Sequence, residues 1–174
     1  ILSLAGFSMI EGAVLYSSFA FLKHFQSKGK NKMINICRGI NMSVMDENLH
    51  SLGGARLCSI LMEESELSKE QKEYYKTEIL KLADSIYEHE CRIVDMLFEK
   101  GTMEGISAES MKIFVASRIN TCLNQLGYEN KYNTENNIIA DWFYKGINDY
   151  SFNDFFSGVG REYNRGWEKT SFEW

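Results

Sequence analysis

Apolar residues in this chain recur at helical spacing over long stretches, and the pattern predicts four long helices. The first is expected from near Ile1 to about Gln26, where Ser27-Lys28-Gly29 breaks it. A second spans roughly Lys32 to Glu64. Ser68-Lys69-Glu70-Gln71 has the form of a capping box and opens a third, which ends near Lys100 with Gly101 just beyond it. Ser107 caps a fourth that runs to Leu126 and stops at Gly127. After Tyr128 the pattern changes: Asn-rich turns lead to a short apolar piece, 138–144, and Lys145 to Trp174 has no sustained period but many aromatics. The chain thus divides into a helical part, 1–144, and an irregular aromatic tail, 145–174.

Composition strengthens this picture. There is no proline in 174 residues, where ordinary usage of ~5% would give about nine. Since proline interrupts helices, its absence favours an all-α chain. Apolar content of 44% and charged content of 25% suit one soluble domain with its own core. A net charge of −5 gives no electrostatic reason to expect nucleic acid or an anionic membrane as partner. Cys37, Cys58, Cys91 and Cys122 are widely spaced with no C-x-x-C pair, so free, partly buried thiols in a reducing, cytoplasmic compartment are expected.

The first 22 residues resemble a membrane span in length. Glu11 at mid-span, the absence of a basic segment before the run, and Ser3, Ser8, Ser17 and Ser18 argue instead for a core helix. The chain opens directly into apolar helix with no initiator Met and no capping residue. That start is expected to be an interior junction of a processed, split or truncated polypeptide.

Glu11 is the sole charge between Ile1 and Leu22, and its helical neighbours are Leu4, Phe7, Leu15, Phe19 and Leu22. An ionised carboxylate in such surroundings needs a cation or hydrogen-bond partner. On the second helix Glu47 and His50 stand three residues apart and share a face with Ile36, Ile40, Gly54, Leu57 and Leu61, which predicts that they point into a core. A hydrogen-bonded polar pair in a bundle accounts for Glu47 and His50 alone. It does not account for a second carboxylate, Glu11, aimed at the same interior, where the two would repel. One Glu on one helix and a Glu-x-x-His on another form half the ligand set of a carboxylate-bridged two-metal bundle.

Other polar groups invite blander readings. His24 and His89, among Lys23, Glu88 and Glu90, are expected at the surface, and Glu63, Glu64 and Glu66 form a solvated helix end. Tyr16, five positions from Glu11 and about 140° round the helix, is a packing residue. Phe7, Phe19, Phe21 and Leu22 are core or bundle-interface residues. In the tail, Tyr150, Phe152, Phe155 and Phe156 could cover the bundle, whereas Tyr163, Trp167, Phe172 and Trp174 suit docking into a partner's groove.

Taken in order, the motifs resemble the C-terminal half of the small, radical-generating subunit of class I ribonucleotide reductase, in its phage-like branch. Ile10-Glu11-Gly12-Ala13-Val14-Leu15-Tyr16-Ser17-Ser18-Phe19-Ala20 is similar to one ligand helix of that family, and Asp46-Glu47-Asn48-Leu49-His50 to another. Phe98-Glu99-Lys100-Gly101, Arg118-Ile119-Asn120 and Gln125-Leu126-Gly127 are similar to its later helices and turns. Asn153-Asp154-Phe155-Phe156 and Val159-Gly160-Arg161-Glu162-Tyr163 resemble its tail. Departures are Met45 for the family's Arg, Asn48 for Gly, Ser43 for an apolar residue, Leu15 for Phe, and a turn that keeps only Trp142.

The resemblance implies a ferritin-like helical bundle of which this chain supplies half. Glu11, Glu47 and His50 would be metal ligands for two iron ions, or a manganese–iron pair, completed by ligands from another chain or segment. Asp46 would link a ligand histidine to the electron-transfer route, and Tyr163 would relay a radical to the large catalytic subunit. Phe172 and Trp174 would anchor the C-terminus in that subunit. The implied partners are the small subunit's N-terminal half and the large subunit, in a dimeric assembly located in the cytoplasm, a host's if the gene is a phage's. Two other readings are a homodimer that completes its own two-metal site and a metal-free docking piece.

Overall fold

A computed structural model describes residues 1–27, 30 and 32–151, with backbone alone from Gly146 to Ser151. The elements are α1 (Leu2–Met9), a π-helical turn (Ile10–Val14), α2 (Leu15–Lys23), α3 (Ile34–Glu64), α4 (Lys69–Phe98), α5 (Ala108–Gln125) and α6 (Ile138–Ser151). Among the described residues, the isolated bridge between Met103 and Ile106 is the only β pairing.

Local chemistry sets most of the ends. Ser68 Oγ accepts from Gln71 N while Gln71 Oε1 accepts from Ser68 N, closing the expected capping box of α4. At α5 the reciprocal partner of Ser107 is another serine, Ser110. Gly101 and Gly127 follow α4 and α5 with φ of +132° and +84°, backbone that glycine adopts without strain. The short apolar piece expected at 138–144 is part of a longer helix that continues to Ser151.

The expected first helix is not uniform. Ile10 N–H still reaches Gly6 O, four residues back, but Leu15 N–H reaches Ile10 O, five back. One turn is therefore wider than α, with Glu11 inside it.

The core lies where α1, the π turn and α2 pass between α3, α4 and α5. At one end Ala5, Met9, Ala13, Ala55, Cys58, Ile79, Ala83, Val115, Ile119, Cys122 and Leu123 pack together. At the other, Tyr16, Ala20, Val44, Val94, Met111, Phe114, Ile139 and Phe143 do so. The segment Leu2–Lys23 is long and apolar enough to cross a membrane, yet Ala5, Met9, Ala13, Tyr16 and Ala20 along it are buried within the bundle. The four cysteines are free thiols, three of them buried.

Two expectations fail here. His24 is buried, not at the surface, and so is its neighbour Lys23. The His24 ring lies against Phe25 and Trp142, with its Nε2 3.0 Å from Lys30 Nζ, and Lys23 Nζ donates to Asn41 Oδ1. Glu90 is also buried, whereas His89 is exposed as expected. The second failure is the α3 face carrying Glu47 and His50. Ile40 and Gly54 face inward, but Ile36, Leu57 and Leu61 are exposed, as is Phe7 on α1.

Candidate metal centre

The site begins with a close approach of two helices. Where α1 meets α3, Ser8 Oγ donates to Ser51 O at 2.8 Å and Ser51 Oγ sits 3.0 Å from Ser8 O. Gly54 allows this proximity, since a Cβ there would stand 2.9 Å from Phe7 Cδ1. Gly12 extends it, because a Cβ there would collide with Ser51 Oγ and Cys122 Sγ. Glu11 precedes Gly12 and His50 precedes Ser51, so the contact that needs no side chain sets these two polar side chains against each other.

Glu11, Glu47 and His50 each offer a ligand atom, and the three atoms lie within 4.8 Å of one another. His50 turns Nδ1 towards both carboxylates, 2.9 Å from Glu47 Oε2 and 3.6 Å from Glu11 Oε2. The carboxylates are largely covered, at 17% and 18% side-chain exposure, whereas His50 is open at 52%. The side-chain hydrogen bond with Glu47, then burial, then Glu47's charge hold Glu11 above the usual carboxylate range, with His50 pulling the other way. His50 is raised chiefly by its bond to Glu47.

The donor set suits a hard divalent cation. Two carboxylates set this close repel each other, and a metal ion between them would offset that repulsion. The cluster is also one-sided: Ile10, Phe7, Ile36, Leu57 and Leu61 are exposed on the elements that carry it. A shallow groove of about 680 Å³ between α1 and α4, lined by Leu2, Phe7, Ile10 and Leu82 among others, continues that surface.

Comparison with known proteins decides the family. The description "Ribonucleotide reductase, small chain" matches residues 1–138. The chain belongs to the ribonucleotide reductase small-chain family. Its fold is accordingly the ferritin-like helical fold of these small chains. A probable ribonucleoside-diphosphate reductase small subunit of Invertebrate iridescent virus 3 is 28% identical over 156 residues, covering 90% of this chain and 40% of that protein. The ribonucleoside-diphosphate reductase subunit beta of Bacillus phage SPbeta is 26% identical over 159 residues, covering 90% and 45%. The chain therefore spans less than half the length of either relative. Small chains of this family use a di-metal centre, and the cluster above is where this chain could contribute to one.

The remaining sequence expectations divide. Asp46 is exposed and makes no hydrogen bond or ion pair among the described residues. Tyr163, Phe172 and Trp174 lie outside the described residues. Tyr16 packs as expected: it is buried, with its hydroxyl on Val44 O at 3.0 Å, and burial pushes it up to about 12. Arg118 escaped the functional reading. It is buried on α5, with Nε 2.8 Å from Gly12 O and Cζ 3.8 Å from the Tyr16 ring centre. The signal was present, for Arg118 is the sole charge between Lys112 and Glu129, as Glu11 is in its own run.

Proposed function

We propose that this chain is the C-terminal half of a phage-like ribonucleotide reductase small subunit and supplies half of a two-metal site. The observation that carries this reading is the convergence of Glu11, Glu47 and His50 on a face left apolar and open, in a family member under half its relatives' length. The other ligands come from an N-terminal half, on a separate chain or a preceding segment. That half also covers the exposed side chains around the cluster, because apolar surface of this extent on a helix is otherwise costly in water. Helix α3 is apolar on both flanks of its buried face, with Ile36, Leu57 and Leu61 on one and Met42, Met45, Leu49 and Leu52 on the other. Such a helix belongs inside a larger body.

Within the completed site, Glu11, Glu47 and His50 would hold iron, or iron with manganese. The metal pair, when bound, supplies the power to oxidise a tyrosine on the completing half. This chain's residues have separate tasks. The two carboxylates offset the metal charge, and His50 fixes one coordination direction through Nδ1. Asp46 meets its partner on the completing segment, Tyr163 relays the oxidising equivalent, and Phe172 and Trp174 dock on the large catalytic subunit. The working unit is a dimer of completed subunits in the cytoplasm, serving the reduction of ribonucleoside diphosphates.

The test uses the assembled enzyme. Glu11→Gln, Glu47→Gln or His50→Ala should remove iron and turnover together, and full metal content in any of them would count against the ligand assignment. Tyr163→Phe should leave iron in place yet abolish turnover; normal turnover would remove Tyr163 from the route.

A further inference from the structure

We propose that Arg118 is the positioning residue for Glu11, holding the π turn that aims the carboxylate at Glu47 and His50. The inference rests on the metal-binding reading above and adds a residue to it that touches no ligand atom.

A π turn has poorer geometry than the α-helix around it and persists where surrounding contacts favour it. Here the ladder shifts between Ile10 and Leu15, and side chains from outside the helix bond to carbonyls flanking Glu11. Ser51 Oγ and Cys122 Sγ reach Ser8 O, and Arg118 Nε reaches Gly12 O at 2.8 Å. Gly12 is the residue next to Glu11, so the guanidinium grips the turn within one peptide of the carboxylate's own Cα.

Arg118 is suited to hold a fixed direction. Its fork is planar and preorganised. One face lies 3.8 Å from the Tyr16 ring centre, and Nη1 donates to Tyr144 Oη at 2.8 Å. Tyr16 in turn holds Val44 O on α3, one turn before Glu47. The same guanidinium therefore links the turn carrying Glu11 to the helix carrying Glu47 and His50.

The charge itself argues for more than packing. Arg118 is 4% exposed, has no carboxylate within ion-pair distance among the described residues, and leaves Nη2 without a hydrogen-bond partner among them. An apolar side chain of similar volume would usually fill such a place at less cost. What an apolar residue cannot do is hold the Gly12 carbonyl in the widened turn.

The experiment titrates cobalt(II) alone into the full chain in its native assembly, for the wild type, Arg118→Met, Arg118→Lys, Glu11→Gln and the Arg118→Met/Glu11→Gln pair. Arg118→Met should weaken cobalt binding about 10–100-fold, as loss of a ligand-orienting partner does. It should also move the cobalt ligand-field spectrum towards that of Glu11→Gln. Arg118→Lys, which keeps a donor, should recover part of both. The double variant should bind no more weakly than Glu11→Gln, because the two changes act through one ligand. Met111→Ala, a buried truncation two turns earlier on α5, should lower stability without touching the spectrum. Wild-type affinity and spectrum in Arg118→Met, or additive losses in the pair, would overturn the proposal. If Arg118→Met fails to fold, Arg118→Lys decides on the same two readouts. If the wild type shows no Glu11-dependent cobalt binding, the metal reading falls first and this proposal falls with it.

Discussion

Glu11 and Glu90 are both carboxylates on helices of one bundle, both held above their ordinary range, and they are built in opposite ways. Glu90 on α4 is 1% exposed and accepts from Ser17 Oγ, and burial is the main cause of its shift. Glu11 keeps some exposure, and its shift comes first from another carboxyl, Glu47. Glu90 has one hydroxyl partner, and its Oε1 is buried with no hydrogen bond among the described residues. Glu11 has a second acid, an imidazole and an open side. Burial alone marks a carboxyl as costly, whereas convergence with other donors marks it as usable.

The largest effect that separates the two is metal retention. In the assembled protein Glu11→Gln should lose its metal and Glu90→Gln should keep all of it, by metal analysis of the purified complex. Metal lost from Glu90→Gln, or retained in Glu11→Gln, would erase the distinction.

Stability should sort them in reverse. Glu90→Ala leaves a hole and reduces Ser17 Oγ to one acceptor, Val14 O, costing about 1–3 kcal/mol. In chelator, Glu11→Ala removes a crowded charge and should cost nothing. Urea melts of both variants would show this, and a larger loss for Glu11→Ala would invert the account.

The pH response follows from Glu90's upward shift. In the unfolded chain Glu90 ionises near the ordinary value of 4.5, while in the folded chain it holds its proton to higher pH. Its contribution is thus fully present below 4.5 and is lost as pH rises through the folded value. His89, beside it, opposes part of the shift. Glu90→Gln should flatten this part of the stability profile, and an unchanged slope would mean that the buried carboxyl does not titrate on unfolding.

The smallest effect on the chain itself concerns the open side. Leu57, on the flank that carries Glu47 and His50, is 55% exposed, so Leu57→Glu should change the chain's own stability by less than about 0.5 kcal/mol. It should nonetheless weaken association with the completing half, read by size-exclusion chromatography of the mixed chains. Unimpaired association would take this flank of α3 out of the interface.

What could be read from the sequence follows the same division between local and distant causes. Ser68, Ser107, Gly101 and Gly127 act within a few residues, so the ends of α4 and α5 were legible. Glu11, Glu47 and His50 were legible because a lone charge in an apolar run and an i, i+3 pair are local patterns. The π turn was not, since it depends on Gly12 meeting Ser51 and Cys122, and on Arg118 more than a hundred residues away. Glu90 was hidden by its charged neighbours, although it continues the buried stripe of Ile79, Ala83 and Val94 at helical spacing. The outward turn of Ile36, Leu57 and Leu61 was misread because apolar periodicity shows that a face is to be covered, but not by which chain.

The most direct test of the central claim is native mass spectrometry, with metal analysis, of the protein isolated from its source. The account predicts a complex of this polypeptide with an N-terminal half, whether a separate chain or part of a longer one, carrying about two metal ions per completed site. This chain recovered as a metal-bearing homodimer, or in a full assembly without metal, would contradict it.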